Sequence, residues 1–320
     1  LAPASLPVVS MMLDGREYNH LHGYTQAVDV AFERDTVTIL GESRDTDFVI
    51  DTYGREIQEV SIEVRSADGS RLIENTVLSG LSRTGNIIQG TVALKDLIEK
   101  DTDYSLCFVL QMDEGEKACY YTRVIWSEGL HVSEKLEYVT DFHERLYDKE
   151  AAKELTKYLE TNSRLEDNSS FHKVNIHSSF KQITWGDLPV QEITAPVVSL
   201  TELASQTASF LMDYVVFTTE GKKTVYYLVE EHYRVRYTTD RMYLLDYERT
   251  MTQVPEAGQI YANDKLLLGI TGTDIPMVES EDGNTVVFEV ANRLFSYEAT
   301  ENKLIVIFSF YDENNVDERT

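Results

Sequence analysis

Between Thr36 and Trp126 the sequence divides into seven short apolar-rich segments: TVTIL, DFVID, EVSIEVRS, RLIENTVL, NIIQGTVAL, DYSLCFVLQM and KACYYTRVIW. In EVSIEVRS, Val60, Ile62 and Val64 alternate with Ser61, Glu63 and Arg65. A period of two sends one set to each face of a pleated strand, one buried and one wet. SADGS and DEGEK supply turns between such segments. Short strands with turns about every 8–12 residues predict an antiparallel β-sandwich.

One stretch inside this region is more specific. In IEKDTDYSLCF (residues 98–108) a polar run from Glu99 to Asp103 stops at Tyr104, which heads the alternating set Tyr104, Leu106 and Phe108. Ile98, Thr102, Tyr104, Leu106 and Phe108 fill the places of an aliphatic-x-Pro-x-Thr-x-Tyr-x-apolar-x-apolar run. This resembles the corner before strand F of fibronectin type III domains. Lys100 stands where those domains usually carry proline, and the second strand lacks their usual tryptophan. The resemblance covers residues 36–126 and implies a chain crossing between sheets, with the tyrosine hydroxyl satisfying a stranded backbone group. It implies an adhesion or spacing module rather than a catalytic one.

Four regions are expected. Residues 1–35 form an extended segment, with LPVVSMMLDG a strand ended by an Asp-Gly turn and REYNHLHGYTQ loop-like. Residues 36–128 form the sandwich. Residues 129–212 are a mixed helical connecting region. There Leu136, Val139, Phe142 and Leu146 make one helical stripe with Ser133 as cap, and Ala151, Leu155, Tyr158 and Leu159 make a second. SSFKQITWGDLPV reads as extended, and Ser199 with Glu202 as a capping box opening a further helix. Residues 213–320 are strongly β, with a hairpin turning at Glu220–Lys223. Similar aromatic segments start at Arg241 and Arg293, a spacing near that of β-propeller blades, so this part is a β-meander or a partial propeller. The fold class is therefore mainly β and multidomain.

At 320 residues, with 42% hydrophobic, the chain can bury real cores. Its 55 acidic against 29 basic residues give a net charge of −26, which disfavours nucleic acid and anionic lipid as partners. No apolar run is long enough for direct membrane insertion. The start, LAPASLPVV, reads as a chain entered partway, so an upstream signal peptide or anchor and an extracytoplasmic location are expected. Cys107 and Cys119 fall on adjacent strands, and a disulfide and free buried thiols both fit.

Candidate chemistry is sparse. His20 and His22 have the His-x-His spacing of two metal ligands, without a further ligand cluster; surface histidines are the bland alternative. His172 and His177 are an odd number apart and would face opposite ways on one strand. Glu231 interrupts a face otherwise made of Val225, Tyr227, Val229, Tyr233 and Val235. A carboxyl buried there with a raised pKa suits a glycosidase acid. The favoured alternative is a β-bulge at Glu230–Glu231 or neutralisation by Arg234, Arg236 or Arg241. SEDGN and DENNVDE carry oxygen ligands for at most weak surface calcium. No phosphate-cradling or nucleophile-elbow motif is present, and no cofactor is expected. Tyr226, Tyr233, Tyr243 and Trp185 are the candidate stacking surface for a glycan or peptide.

The resulting expectation is a non-enzymatic, extracytoplasmic binding or signalling-accessory protein that contacts protein or glycan at the cell surface. The alternative is a carbohydrate-active hydrolase with an accessory β-sandwich domain.

Overall fold

The computed structural model describes residues 6–31, 35–95, 97–162, 164, 170–220, 223–254, 261–262, 265–266, 276–290, 293–301 and 303–309. The chain is mainly β, in several antiparallel sheets, none of which closes into a barrel among the described residues. Its N-terminal part contains β1 (Val8–Leu13), β2 (Arg16–Leu21), β3 (Gly23–Tyr24), β4 (Val37–Leu40), β5 (Asp45–Asp51) and β6 (Ile57–Ser66). There follow β7 (Leu72–Val77), β8 (Ser82–Thr84), β9 (Ile87–Ala93), β10 (Asp103–Met112) and β11 (Lys117–Trp126). All seven segments expected from the alternation are strands.

These strands form two sheets, ordered β2-β1-β5-β9-β8 and β3-β11-β10-β6-β7, with β4 added parallel to β11. The inward residues of both sheets join one core, where the rings of Phe48 and Phe108 lie 4.9 Å apart. This layering is compatible with a β-sandwich. At the corner before β10 the Tyr104 hydroxyl accepts the Glu99 backbone N–H at 3.0 Å while its ring is buried. A backbone donor cut off at the crossing is thereby satisfied.

REYNHLHGYTQ, expected as loop, is instead β2 and β3. Asp14 and Gly15 both have positive φ, 50° and 79°, which makes a two-residue turn that folds β2 straight back onto β1. The loop expectation failed because polar residues dominate an edge strand whose inward positions are few.

In the middle region α1 (Val132–Arg145) buries the expected stripe of Leu136, Val139 and Phe142, with Leu146 just beyond its end. Ser133 does not cap it: its hydroxyl donates to Asp14, and His131 in left-handed conformation precedes the helix. Residues Ala151–Tyr158 form a 3-10 helix, so contacts follow a spacing of three, through Ala152 and Leu155. β12 (Lys173–Asn175) leads to α2 (Phe180–Ile183), one turn where extended chain was expected. The Ser179 hydroxyl caps it by accepting the Gln182 N–H. After β13 (Gln191–Glu192), Ser199 and Glu202 do not open a helix but lie in β14 (Val197–Leu203). The same spacing arises in a strand, and the β-branched content of VVSLT decides for it.

Three long strands dominate the rest: β15 (Thr207–Glu220), β16 (Lys223–Tyr237) and β17 (Met242–Gln253). β15 and β16 pair antiparallel up to Glu220 opposite Lys223, the hairpin expected there. The sheet order is β12-β17-β16-β15-β13, with β14 also on β15, and α1 crosses its inner face. β18 (Tyr261–Ala262) pairs with β19 (Lys265–Leu266). β20 (Met277–Glu279), β21 (Thr285–Val290), β22 (Arg293–Glu298) and β23 (Lys303–Ser309) then form a four-stranded meander. Its Phe288, Val290 and Phe295 pack against Leu228 and Val254 of the preceding sheet. Among the described residues no helix is long and apolar enough to cross a membrane.

Candidate functional site

The inner face of β16 runs Val225, Val229, Glu231, Tyr233 and Val235, all buried. No bulge occurs at Glu230–Glu231; the register shift falls between Arg234 and Val235. Glu231 therefore points inward and is 0% exposed. A bare carboxylate there would cost several kcal/mol, on the order expected for a buried unpaired charge.

Strand geometry brings it partners. Tyr233 follows two residues along β16, while Tyr214 faces Val229 and Tyr247 faces Tyr233, which places both diagonal to Glu231. Diagonal neighbours are within reach of long aromatic side chains. Tyr214 and Tyr247 donate to Oε1 at 3.0 and 3.2 Å; Tyr233 donates to Oε2 at 2.6 Å. The fourth partner comes from α1: His143 Nδ1 lies 2.8 Å from Oε2. His143 Nε2 lies 2.9 Å from Glu192 Oε1 on β13.

A histidine with a carboxylate at each ring nitrogen donates from both only when doubly protonated. Burial opposes that charge, but Glu231 and Glu192 overcome it and raise His143 to about 9. Burial alone would raise Glu231, yet the imidazolium, the Arg249 charge and the Tyr233 hydroxyl bring it down to about 2. The three phenols are held well above their ordinary value, chiefly by burial and then by the Glu231 charge.

Arg249, cross-strand from Glu231, is also fully buried. Its guanidinium donates to the carbonyls of Ile183 and Gln182 at 2.9 and 2.8 Å, and its carbon lies 3.5 Å from the Trp185 ring centroid. It thus caps the C-terminal end of α2, where carbonyls lack helical partners. Trp185 itself has φ 63°. The next residue must be glycine, since a Cβ at Gly186 would sit 2.7 Å from Phe171.

The constellation pairs two carboxylates with two cations, and Glu231 has two hydrogen bonds on each oxygen. It holds charge in place under α1. A carboxyl this saturated, ionised and sealed has no proton to donate to a substrate and no face to present to one.

The other sequence candidates are placed apart. His20 and His22 lie near different carboxylates, Glu17 and Asp35, each at 3.7 Å. Among the described residues no group of three His, Cys, Asp or Glu can hold a metal ion. His177 Nδ1 is 3.0 Å from the Glu160 carbonyl, and the His172 carbonyl accepts the Met251 N–H. In SEDGN, Asp282 turns onto Ser280 and Asn284; DENNVDE lies outside the described residues. Arg234, Arg236 and Arg241, considered as neutralisers of Glu231, do not reach it, and Arg236 and Arg241 instead approach the Tyr243 ring at 4.8 and 4.2 Å.

Of the four stacking candidates, Trp185 and Tyr233 are buried, whereas Tyr226 is 39% exposed and Tyr243 partly so. Tyr226 and the partner of Tyr243, Arg236, are ten residues apart on β16, about 33 Å at strand rise. These two rings therefore do not form one platform. His143, Glu192, Tyr214, Tyr247 and Arg249 were not singled out from sequence. His143 falls four residues after Val139 and seven after Leu136, on the helix stripe itself, and that placement was the available signal.

Compared with known proteins, the chain matches no protein-family model and no curated protein.

Proposed function

We propose that this chain is a non-enzymatic, extracytoplasmic binding or signalling-accessory protein that contacts protein or glycan at a cell surface. The observation that carries the reading is the corner at Tyr104. Its hydroxyl takes the Glu99 N–H at the crossing into β10, and β10 lies between β11 and β6 with β7 outermost. That arrangement supports a fibronectin type III-like domain, a scaffold suited to spacing and adhesion. The four-stranded meander β20–β23 has the strand number of one propeller blade, which supports a blade-like C-terminal part. The acidic charge fits a partner other than nucleic acid or anionic lipid. The hydrolase reading draws no support from Glu231, whose carboxyl is enclosed and ionised.

Glycan and peptide arrays probed with the full chain, together with polysaccharide hydrolysis assays of wild type and Glu231→Gln, test the proposal. Retention by one array class with no hydrolysis by either form is expected. Hydrolysis by wild type that disappears in Glu231→Gln would overturn it. An apolar segment upstream in the reading frame is expected for the surface location.

A further inference from the structure

On β10, Leu106, Phe108 and Leu110 enter the core, so Cys107 and Val109 face outward. The register sets Cys107 opposite Tyr121 and Val109 opposite Cys119, making the two cysteines diagonal neighbours on one face. Both belong to a small apolar cluster with Val30 and Tyr121, bordered by Tyr24, Val28 and Val109. The segment after β3 is fastened over it, with the Val28 N–H donating to the Tyr121 hydroxyl at 3.1 Å and the Tyr24 and Tyr121 rings 5.9 Å apart. Both thiols are free, that of Cys107 donating to the Phe108 carbonyl at 3.5 Å, and their surroundings differ. Cys107 is 7% exposed with Glu63 opposite it on β6, whereas Cys119 is half-buried with Lys117 on its own strand.

We propose that Cys107 and Cys119 form a reversible dithiol–disulfide site in which Cys119 is the attacking and Cys107 the resolving thiol, with a low-molecular-weight disulfide as oxidant. The neighbouring Cys107 thiol, with Tyr121 and Lys117, holds Cys119 below the usual thiol range against burial, and Cys119 is the more exposed of the two, so it is the one a small disulfide meets first. The neighbouring Cys119 thiol and then burial push Cys107 up. The Cys119 thiolate attacks one sulfur of the oxidant, the oxidant's S–S bond breaks, and one small thiol leaves with a proton. Cys107 then gives up its proton and attacks the Cys119 sulfur, expelling the second small thiol. One disulfide is reduced to two thiols, and two protein thiols become one disulfide. Diagonal strand positions stand about 7–8 Å apart at Cα, beyond the span of a relaxed disulfide, so closing the bond must draw β10 and β11 together locally. The resulting bond is strained and easily reduced, as suits a reversible site.

The test equilibrates the full chain in glutathione buffers of rising oxidised fraction, followed by acid quench, alkylation and intact mass. Wild type is expected to lose both free thiols together, to carry no adduct, and to regain both with dithiothreitol. Cys107→Ser is expected to stop at one glutathione adduct on Cys119. Cys119→Ser should react at Cys107 more slowly than Cys107→Ser reacts at Cys119, by on the order of tenfold or more. Stable adducts on wild type without an internal disulfide would overturn the proposal. So would thiols that stay free across the series while Cys107→Ser takes up no adduct.

Discussion

His143 on α1 and Glu231 on β16 meet at 2.8 Å with side chains only 4% and 0% exposed, 88 residues apart in sequence. The contact joins the helix to the long sheet through a charge that neither side could bury alone. Glu231→Ala leaves the His143 imidazolium facing only Glu192 and frees three tyrosine hydroxyls. Removing one partner of a buried pair costs about 3–5 kcal/mol. The expected outcome is an unfolding free energy lower by that amount, read from urea denaturation followed by far-UV circular dichroism.

The same pair sets a pH window. His143 is raised from 6.5 to about 9, so its contribution is fully present below pH 6.5 and is lost as pH rises through about 9. Glu231 is lowered from 4.5 to about 2, so its contribution is present above pH 4.5 and is lost as pH falls through about 2. Stability from this pair is therefore greatest between about pH 4.5 and 6.5. Lys135, lowered to about 8 by burial, works in the opposite direction on the alkaline side. Denaturation curves of wild type minus His143→Gln cancel Lys135, and their difference is expected to shrink from pH 6.5 to pH 9. A difference that stays flat over that span would contradict the assigned charge.

Tyr104→Phe keeps the ring in the core and removes only the acceptor of the Glu99 N–H. An unpaired backbone donor costs about 1–3 kcal/mol. The expected readout is a fall in melting temperature with unchanged spectra, and faster hydrogen exchange at the Glu99 amide.

How much of this was readable beforehand differs by element. EVSIEVRS and its neighbours declared themselves because each has one wet face, and Tyr104 because a polar run ends on it. The inward direction of Glu231 was also legible from the Val and Tyr residues around it. Its partners were not, because a helix 88 residues upstream and a two-residue strand at Glu192 leave no local periodicity linking them to β16. VVSLTEL misled because Ser199 and Glu202 satisfy a helix-start spacing, which here falls across a register shift in a strand between Leu200 and Glu202. REYNHLHGYTQ misled because only Tyr18, Asn19 and Leu21 of β2 are buried.

Arg249→Lys retains the charge but not the fork that reaches two carbonyls and lies on Trp185. The loss of one hydrogen bond and the stack is expected to lower stability by about 1–3 kcal/mol. Quenching of tryptophan fluorescence by acrylamide is expected to rise as residues around Trp185 loosen, with secondary structure unchanged.

Asn19, at φ 51° in β2, donates to the Val37 carbonyl and the Thr38 hydroxyl and accepts the Leu200 N–H at 2.7 Å. Arg123 adds a bond to the Thr201 carbonyl, and one unbroken core runs from Val9 to Met251. The N-terminal sheets and the long central sheet are thus welded along a seam instead of strung on a tether. Within the described residues, a load passing between these two parts crosses side-chain hydrogen bonds and shared core and not one connecting strand, so they turn as a single body.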